Sequence, residues 1–588
     1  MTFPAASMQP RTPQLNHATT SIAMDATQEF GVIHDQEPDG AADSAPEETI
    51  TPLIEASEAY PVLEERIFEA RDEVLLGFRI LDPATRLRSP RVTEAGLETW
   101  GDLIAAVSAR GVDVRILLTD FEPTVATDLH KLTWASVRGF HNARAAVDAR
   151  PDATRTLQIV AALHEAKVGK MLRWVFWPLV WFRVRGMARA QGMQTGALLA
   201  DAPGLAPLLG TRDASTLLPR LGPPPRLRPA TYHQKLAVID GSFVVIGGLD
   251  INERRYDTAA HDRPSDETWH DVSLAVTGPI CADARAHFID CWNREVKPFN
   301  QRVRRLRRFV RNMPALVERM DPAHSEPRPA GAEVGALRFI KTVSRQRRTL
   351  TEFGPRPAFM EIEQAHIDAI RQAEGLIYIE TQFLRSRSVV QALVDAARRQ
   401  PELRLILLLP AAPQEVLFED ATDPPHRHGE WLQMRCVDAV KEAFGERAAF
   451  FSLVNRYRQS TTEDRRSIDG HPIVYIHSKV FIVDHRLAIV SSANLNGRSL
   501  RWDTEAGVVW EDIKGVRAFE RRIWDAHLGS LLAGREIDGN NAELFDLWRE
   551  AAQGGPADAE RRPYVAAFPE DQGRDFARKS WFVPDDLV

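Results

Sequence analysis

The feature that most constrains the fold of this chain is a motif that occurs twice. Each copy has a lysine two residues after a histidine and an aspartate five residues after the lysine: His233, Lys235 and Asp240 in YHQKLAVIDGSFVVIGGLD, and His477, Lys479 and Asp484 in YIHSKVFIVDHRLAIVSSANL. Both copies continue into a short apolar segment that ends in two small residues, Gly247-Gly248 or Ser491-Ser492. A repeat of this kind over so long a separation predicts a duplicated domain and not a short solenoid repeat.

The periodicity around each motif is repeated as well. The first motif follows a helix, a strand, a helix and a strand, in AYPVLEERIFEAR, EVLLGFRIL, WGDLIAAVSAR and VDVRILLTD. The second follows the same order in FMEIEQAHIDAIRQAE, GLIYIETQFL, SVVQALVDAARRQ and LRLILLLP. One more strand comes after each motif, in DVSLAVTGP or EAGVVWED. This alternation predicts an α/β fold with two pseudo-symmetric α/β/α halves, each built on a mixed sheet.

Composition divides the chain into five expected parts. They are a disordered tail (1–48), an N-terminal half (49–300) with a mostly helical insertion (123–230), a basic segment and Pro-rich linker (301–335), a C-terminal half (336–536) and a peripheral extension (537–588). The tail is rich in Ala, Pro, Ser, Thr, Asp and Glu, a composition that does not support a packed core. At 588 residues the chain is long enough for two such halves with real cores.

Charge and composition also narrow the class of function. The formal net charge of −7 provides no general attraction to nucleic acid, so no nucleic-acid partner is expected. Three cysteines form neither a disulfide pattern nor a metal-binding pattern. The first 48 residues lack the basic start and apolar core of a secretory signal, and no stretch reaches the roughly 18 apolar residues of a spanning helix. We therefore expect a cytoplasmic protein, with export by a route without a cleaved signal left open.

The histidine and lysine of each motif are the candidate catalytic groups. Residues i and i+2 of a strand point to the same face, so His233 projects with Lys235, and His477 with Lys479. If the halves pack about a pseudo-two-fold axis, the four side chains meet at the interface between them and form a site for a phosphate. One imidazole can attack phosphorus while the other protonates the leaving oxygen. The lysines supply the positive charge, so neither a metal nor a cofactor is expected.

The aspartates of the motif have the opposite strand parity. Although Asp240 and Asp484 are counted with the catalytic residues of the motif, they are expected to face away from the phosphate and to hold the following turn. Better candidates for orienting the imidazoles are Asp271, in WHDVSLAV, and Glu505, in DTEAGVVW. A carboxylate on the far ring nitrogen fixes the tautomer and supports the imidazolium.

Four further residues end the apolar segments and are candidate supporting residues. Asp250 and Asn494 can hydrogen-bond a phosphate oxygen or a motif lysine, and Gly248 and Ser492 are the small residues just before them. His270, next to Asp271, is equally compatible with a substrate contact and with a structural hydrogen-bond donor.

The two motifs resemble the signatures of the phospholipase D superfamily. The block YHQKLAVIDGSFVVIGGLDINERRYDT with TWHDVSLAVTGP is similar to that of the phosphatidylcholine-cleaving phospholipases D, and YIHSKVFIVDHRLAIVSSANLNGRSLRWDTE is similar to their C-terminal block. The resemblance covers about residues 55–120 and 231–535. Ser491 stands where the family often has glycine, a small change for which we expect a minor effect.

The resemblance implies a role for each group. His233 would be the nucleophile that forms a phosphohistidine, and His477 the acid that protonates the leaving alcohol and then activates water or another alcohol. Glu505 would orient His233, and Asp271 would orient His477. The implied activity is hydrolysis, or transphosphatidylation, of the distal phosphodiester of glycerophospholipids. Independently of the resemblance, we expect a monomer that associates peripherally with a membrane surface.

Two alternatives share this chemistry. A cardiolipin synthase would join two phosphatidyl units, but such proteins usually begin with transmembrane helices, which are not found in this sequence. A nuclease would cut a DNA backbone with the same site, against which the net negative charge argues. A lipid-binding scaffold with an inactive site is disfavoured because both His-Lys pairs are intact.

A segment inside the insertion is a candidate membrane contact. In KMLRWVFWPLVWFRVRGMAR, Trp174, Trp177 and Trp181 lie among basic residues, and the apolar part is too short to span a bilayer. The alternative is a buried helix kinked at Pro178. The arginine run from Arg302 to Arg311 could likewise bind anionic headgroups, although a solvated helix face is somewhat favoured.

Overall fold

The computed structural model describes residues 48–147, 156–190, 195–211, 217–220, 224–321, 336–347, 350–462, 464–537, 539–555 and 560–588. Residues 1–47 of the expected tail and 322–335 of the expected linker lie outside the described residues. Within the described residues, no helix is both long and apolar enough to cross a bilayer.

The first half contains ten described strands and seven described α-helices. The strands are β1 (Ile50–Ile54), β2 (Glu73–Phe78), β3 (Asp113–Thr119), β4 (Leu157–Ala162), β5 (Leu209–Thr211), β6 (Leu217–Pro219), β7 (Leu236–Ile239), β8 (Phe243–Gly247), β9 (Trp269–His270) and β10 (Val272–Thr277). The helices are α1 (Ala56–Glu69), α2 (Pro90–Glu94), α3 (Trp100–Ala109), α4 (Thr127–Val147), α5 (Lys170–Ala190), α6 (Thr195–Asp201) and α7 (Ile280–Leu306).

The second half, with the residues that follow it, supplies the remaining elements. The strands are β11 (Leu337–Arg345), β12 (Arg356–Met360), β13 (Leu376–Glu380), β14 (Arg404–Leu408), β15 (Ala448–Val454), β16 (Ser467–Ile468), β17 (His471–Ile476), β18 (Val480–Val483), β19 (Leu487–Ser491), β20 (Glu505–Trp510) and β21 (Val565–Ala567). The helices are α8 (Glu361–Arg371), α9 (Arg387–Arg399), α10 (Gln414–Phe418), α11 (Pro424–Phe444), α12 (Gly497–Arg501), α13 (Ile513–Leu528), α14 (Asn541–Ala552) and α15 (Glu570–Phe576).

Both halves are built on mixed sheets with one shared strand order. The first sheet runs β1-β10-β8-β7-β2-β3-β4, and the second contains β11-β20-β19-β18-β13-β14-β15 in the corresponding places. The last three strands of each series are parallel, and the others pair antiparallel. The predicted α/β fold with two mixed-sheet halves is confirmed. The central strands β13 and β14 are almost wholly buried, as expected for parallel strands covered by helices.

The boundaries of the expected insertion are wrong. Strand β4 lies inside the range 123–230, yet it is the edge strand of the first sheet and pairs with β3 along its whole length. Helix α4 packs on α3 as α11 packs on α9, so α4 and β4 belong to the repeated core. The segment that is added to the first half therefore lies between β4 and β7 and includes α5, α6 and the β5–β6 hairpin.

The C-terminal segment is not peripheral, contrary to expectation. Strand β21 pairs with β15 of the second sheet, and Trp548 in α14 is fully buried in the main hydrophobic core. That core is continuous through both halves and joins side chains such as Trp292 of α7 and Tyr378 of β13. The two halves are thus packed as one unit, with β8 and β10 next to β19 and β20.

Candidate active site

The two His-Lys segments lie at corresponding edges of the two sheets. Strand β7 begins immediately after Lys235, and β18 begins immediately after Lys479. Because β7 is antiparallel to β2 and β18 is antiparallel to β13, each motif lies at the carboxyl end of its neighbouring strand. Loops at such strand ends commonly hold binding and catalytic side chains.

Each motif is bound to the opposite half through its backbone. The amides of His233 and Gln234 both donate to the carbonyl of Thr504, each over 2.9 Å. The amides of His477 and Ser478 donate to the carbonyl of His270, over 2.8 and 3.1 Å. Thr504 and His270 directly precede Glu505 and Asp271 in the sequence. These backbone contacts therefore deliver a carboxylate from each half to the histidine of the other.

The side chains complete two histidine–carboxylate pairs across the interface. His233 Nδ1 lies 2.9 Å from Glu505 Oε1, and His477 Nδ1 lies 2.7 Å from Asp271 Oδ2. All four side chains are buried. Since Nδ1 of each ring is engaged by a carboxylate, Nε2 is the nitrogen left for chemistry at phosphorus.

The two lysines project with their histidines, as strand parity predicts. Lys235 Nζ donates to the carbonyl of His233 over 2.7 Å and lies 3.3 Å from His233 Nε2 and 3.7 Å from Asp250 Oδ2. Lys479 Nζ donates to the carbonyl of His477. The ammonium group of Lys235 is therefore held at the reactive nitrogen of His233, and that of Lys479 at the backbone of His477.

The small residues after each motif make room for the carboxylates. A Cβ atom on Gly248 would lie 2.1 Å from Asp271 Oδ1, so a side chain there would displace the carboxylate. At the corresponding position of the second half, the Ser492 hydroxyl donates to Glu505 Oε2 over 2.5 Å. Gly248 thus leaves space for the carboxylate of Asp271, and Ser492 holds the carboxylate of Glu505 by a hydrogen bond.

Asp240 and Asp484 face away from the site, as their parity predicts. Asp240 accepts hydrogen bonds from the amides of residues 71, 72 and 73, and Asp484 from those of residues 374, 375 and 376. Both have positive φ, 48° and 50°, in the turn that closes the strand pair. Each carboxylate therefore fixes the start of a central strand, β2 or β13, to the motif hairpin.

Asp250 and Asn494 occupy equivalent places but have different partners. Asp250 is fully buried, accepts from the amide of Ile80 over 3.0 Å and forms the ion pair with Lys235. Asn494 Nδ2 donates to Gln382 Oε1 over 3.1 Å. Asp250 therefore acts on a motif lysine, which is one of the two roles expected for it.

Burial controls the charge state of the site. It lowers the pKa of both histidines well below the usual value, with Lys235 adding to the effect at His233 and Lys479 at His477. Burial also lowers the pKa of Lys479 to about 7, against the attraction of Asp271. It raises the pKa of Glu505 to about 8 and that of Asp271 to about 6. A phosphate anion would supply the negative charge that this site lacks.

Three arginines near the histidines were not among the sequence candidates. Arg79 follows β2 directly, and its charge, with that of Arg498, acts on His233. Arg255 is 3% exposed, stacks on Trp269 at 4.2 Å, and acts on His477. Arg255 lies five residues after Asp250, and Arg498 lies four residues after Asn494. This similar position in the two motif blocks is the sequence signal that could have identified both arginines.

His270 is a structural donor in this arrangement. Its Nδ1 lies 2.6 Å from Glu55 Oε1 and its Nε2 lies 2.9 Å from Glu380 Oε2, while His527 Nε2 lies 3.0 Å from Glu380 Oε1. His270, Glu380 and His527 have the spacing of metal ligands within the described residues. Both nitrogens of His270 are already engaged by carboxylates, an arrangement that suits an imidazolium better than a metal ligand.

The three candidate membrane-contact tryptophans lie on α5, but they do not share one environment. Trp174 is 52% exposed. Trp177 is half-buried and packs on the core of the insertion, and Trp181 is half-buried beside Phe182 and Arg185. Only Trp174 of the three is therefore directed mainly to solvent.

Comparison with known families agrees with the motifs. Residues 366–526 match a family model described as the PLD-like domain of cardiolipin synthase. Curated relatives include phospholipase D1 of Schizosaccharomyces pombe, 24% identical, and phospholipase D beta 2 of Arabidopsis thaliana, 23% identical. These alignments cover 54% and 47% of this chain but only 29% and 40% of the relatives, so the chain spans well under half of their length.

Solved structures with a detectable likeness are more distant. The phosphatidylserine synthase of Haemophilus influenzae is 13% identical with a TM-score of 0.44, and the match covers 81% of this chain and 86% of that one. Nuc from Salmonella typhimurium, a phospholipase D family member, is 14% identical with a TM-score of 0.21, and the match covers 32% of this chain and 92% of that one.

Proposed function

Because the chain belongs to the phospholipase D superfamily, we propose that it is a phospholipase D-type phosphodiesterase that cleaves the distal phosphodiester of glycerophospholipids. The products would be phosphatidate and the free headgroup, or a new phosphodiester when an alcohol replaces water. The observation that supports this most strongly is the pair of buried histidine–carboxylate contacts, each formed between the two halves.

The first step that we propose is attack by His233. With Nδ1 directed at Glu505, the Nε2 lone pair can form a bond to phosphorus once Lys235 moves from Nε2 to a phosphate oxygen. The bond between phosphorus and the headgroup oxygen breaks, and that oxygen takes a proton from His477. Lys235 and Lys479 stabilise the charge that develops on the non-bridging oxygens.

The second step releases the phosphatidyl group. His477, now neutral, removes a proton from water, and the water oxygen bonds to phosphorus as the P–N bond to His233 breaks. An alcohol can enter in place of water by the same route, because a phosphohistidine does not determine its acceptor. Hydrolysis and transphosphatidylation are therefore expected together.

Trapping of the intermediate tests the assignment of roles. After brief incubation with phosphatidylcholine labelled in its phosphate, we expect a base-stable, acid-labile phosphoenzyme in the wild type and none in His233→Asn. His477→Asn should slow formation but retain the nucleophile. Loss of the phosphoenzyme only in His477→Asn would contradict the proposal by reversing the two roles.

Product analysis distinguishes the alternatives within the superfamily. Vesicles of phosphatidylcholine with ethanol should yield phosphatidate and phosphatidylethanol. Conversion of phosphatidylglycerol to cardiolipin as the dominant reaction would favour a cardiolipin synthase, in line with the matched family model. Nicking of plasmid DNA without lipid cleavage would favour a nuclease.

A further inference from the structure

Helix α5 exposes a continuous apolar stripe. Five large side chains on it are more than half exposed: Met171 (56%), Trp174 (52%), Val175 (68%), Leu179 (70%) and Phe182 (63%). Their spacing of three, four, eight and eleven residues places them along one side of the helix. The opposite side, with Val180, Val184 and Ala188, packs on the core of the insertion. The stripe is therefore not the buried face of this helix.

The charge around the stripe has one sign. Between residues 170 and 190 there is no Asp or Glu, and the basic residues there are Lys170, Arg173, Arg183, Arg185 and Arg189. The whole chain has a net charge of −7, whereas the charge of this helix is positive. Apolar side chains flanked by arginine and lysine are complementary to a bilayer that contains anionic lipid.

A second basic segment lies next to α5. Strand β6 packs on α5, and Arg220, just after β6, lies with its guanidinium carbon 5.3 Å above the ring of Phe309. Phe309 is 38% exposed and lies within the arginine run that ends α7. The exposed arginines of that run are Arg304, Arg305, Arg307, Arg308 and Arg311. Two basic segments that are distant in the sequence are thus neighbours on the surface.

The helix also lies on the side of the molecule that carries the active site. Its chain leaves the carboxyl end of β4, the edge at which the motifs lie. Phe176 contacts Phe353, and Phe353 contacts Trp502, with ring centroids 6.3 Å apart in each case. Trp502 precedes the carboxylate of Glu505 by three residues. A lipid surface held by α5 would therefore lie on the side of the molecule that carries the site.

We propose that α5 is a membrane-docking helix that inserts its stripe between the headgroups of an anionic bilayer, with the flanking arginines on the lipid phosphates. The proposal rests on the proposed function in that the substrate is a phospholipid of that bilayer. A second copy of this chain is a poorer occupant, because two stripes brought together would also bring together two sets of five cations.

Vesicle binding, measured without turnover, tests the proposal. The wild-type chain should cosediment with vesicles of phosphatidylglycerol and phosphatidylcholine, bind much less to phosphatidylcholine alone, and dissociate as the salt concentration rises. Leu179→Glu should weaken binding by about tenfold or more, since it replaces an inserted apolar side chain by a carboxylate. The matched control is Ile513→Glu. Ile513 is 51% exposed and lies just after β20, at the end of that strand distant from Glu505. This variant should bind like the wild type.

A soluble substrate separates docking from catalysis. Hydrolysis of bis(p-nitrophenyl) phosphate should be the same in Leu179→Glu and the wild type, while cleavage of vesicle lipid falls with binding. The proposal is overturned if wild-type protein does not bind the anionic vesicles, if Leu179→Glu binds like wild type, or if it also loses activity on the soluble diester. A wild-type dimer that Leu179→Glu converts to a monomer would overturn it as well. Vesicle binding without any diester hydrolysis would support docking and contradict the proposed function.

Discussion

At the scale of single residues, the two histidine–carboxylate pairs differ in a way that bears on the chemistry. His233 is paired with a glutamate that also accepts from Ser492, and His477 with an aspartate for which Gly248 leaves space. Burial raises the pKa of Glu505 to about 8 but that of Asp271 only to about 6. The His233–Glu505 pair, which contains the proposed nucleophile, therefore keeps its proton to a higher pH than the His477–Asp271 pair, which contains the proposed acid.

This difference predicts a bell-shaped pH profile. The nucleophilic pair must have lost its proton, while the acid pair and Lys479 must each hold one, so the active fraction is limited by Glu505 at low pH and by Asp271 and Lys479 at high pH. With pKa values of about 8 for Glu505, about 6 for Asp271 and about 7 for Lys479, kcat/KM for a soluble phosphodiester should be highest between about pH 6 and about pH 7 and fall on both sides.

The variant Glu505→Gln tests which pair controls the low-pH side. Glutamine cannot titrate, so the rise of kcat/KM with pH should disappear, and the remaining low activity should decline only above about pH 6, where Asp271 titrates. Glu511→Gln, an exposed carboxylate just beyond β20, is the control and should keep the full bell. An unchanged low-pH side in Glu505→Gln would show that another group sets it.

At the scale of secondary-structure elements, the motif aspartates join strands and face away from the two histidines. Each accepts three backbone hydrogen bonds from the residues that lead into a central strand, and each lies in a turn with positive φ. Asp240 thereby links β2 to the hairpin β7–β8, and Asp484 links β13 to the hairpin β18–β19.

Substitution of these aspartates should therefore reduce stability more than activity. Asp240→Ala and Asp484→Ala should each lower the free energy of unfolding by about 2–4 kcal/mol, because three amides lose a charged acceptor. Activity of the folded protein on a soluble diester should stay close to that of the wild type. Chemical denaturation measures the first effect, with Asp72→Ala, an exposed neighbour, as the control. A large loss of activity at unchanged stability would instead place Asp240 in the chemistry.

Sequence reasoning predicted the helices and strands whose pattern is visibly repeated around the two motifs, and it misplaced β4 and the C-terminal segment, which lie outside that visible pattern. Strand parity predicted that His233 and Lys235 project together and that Asp240 points away. The hydrophobic strand LQIVAA was assigned to a helical insertion because the sequence around it is helical, and only its pairing with β3 identifies it as core. Arg79 could not be predicted to lie near His233, since that proximity depends on how two strands meet.

At the scale of the whole molecule, neither half contains a complete site. Each histidine takes its carboxylate from the other half, and each motif is hydrogen-bonded through its backbone to the other half. The burial of Trp548 extends this interdependence to the C-terminal segment, whose Gly, Pro and charged residues with scattered aromatics had favoured a peripheral assignment. The candidate site is therefore complete only while the two halves are held together.

A buried ion-pair network links the halves directly behind the site. His270 lies between Glu55 of the first half and Glu380 of the second, and its carbonyl accepts from the amide of His477. Burial disfavours the charge on His270, but Glu380 and Glu55 outweigh it and raise the pKa well above 6.5. The stabilisation is therefore fully present below about pH 6.5 and is lost as the pH rises through the raised pKa.

Replacing His270 alone, and then together with Glu380, should separate the effect of the imidazole on stability from that of its carboxylate partners. At pH 6, His270→Gln should lower the free energy of unfolding by about 3–5 kcal/mol, because two buried carboxylates lose their cation. The double variant with Glu380→Gln should recover part of that loss, since one of the two charges is also removed. Between pH 6.5 and pH 9 the wild type should lose stability more steeply than the double variant, as measured by urea denaturation. Equal slopes in the wild type and the double variant would mean that His270 is not the titrating group.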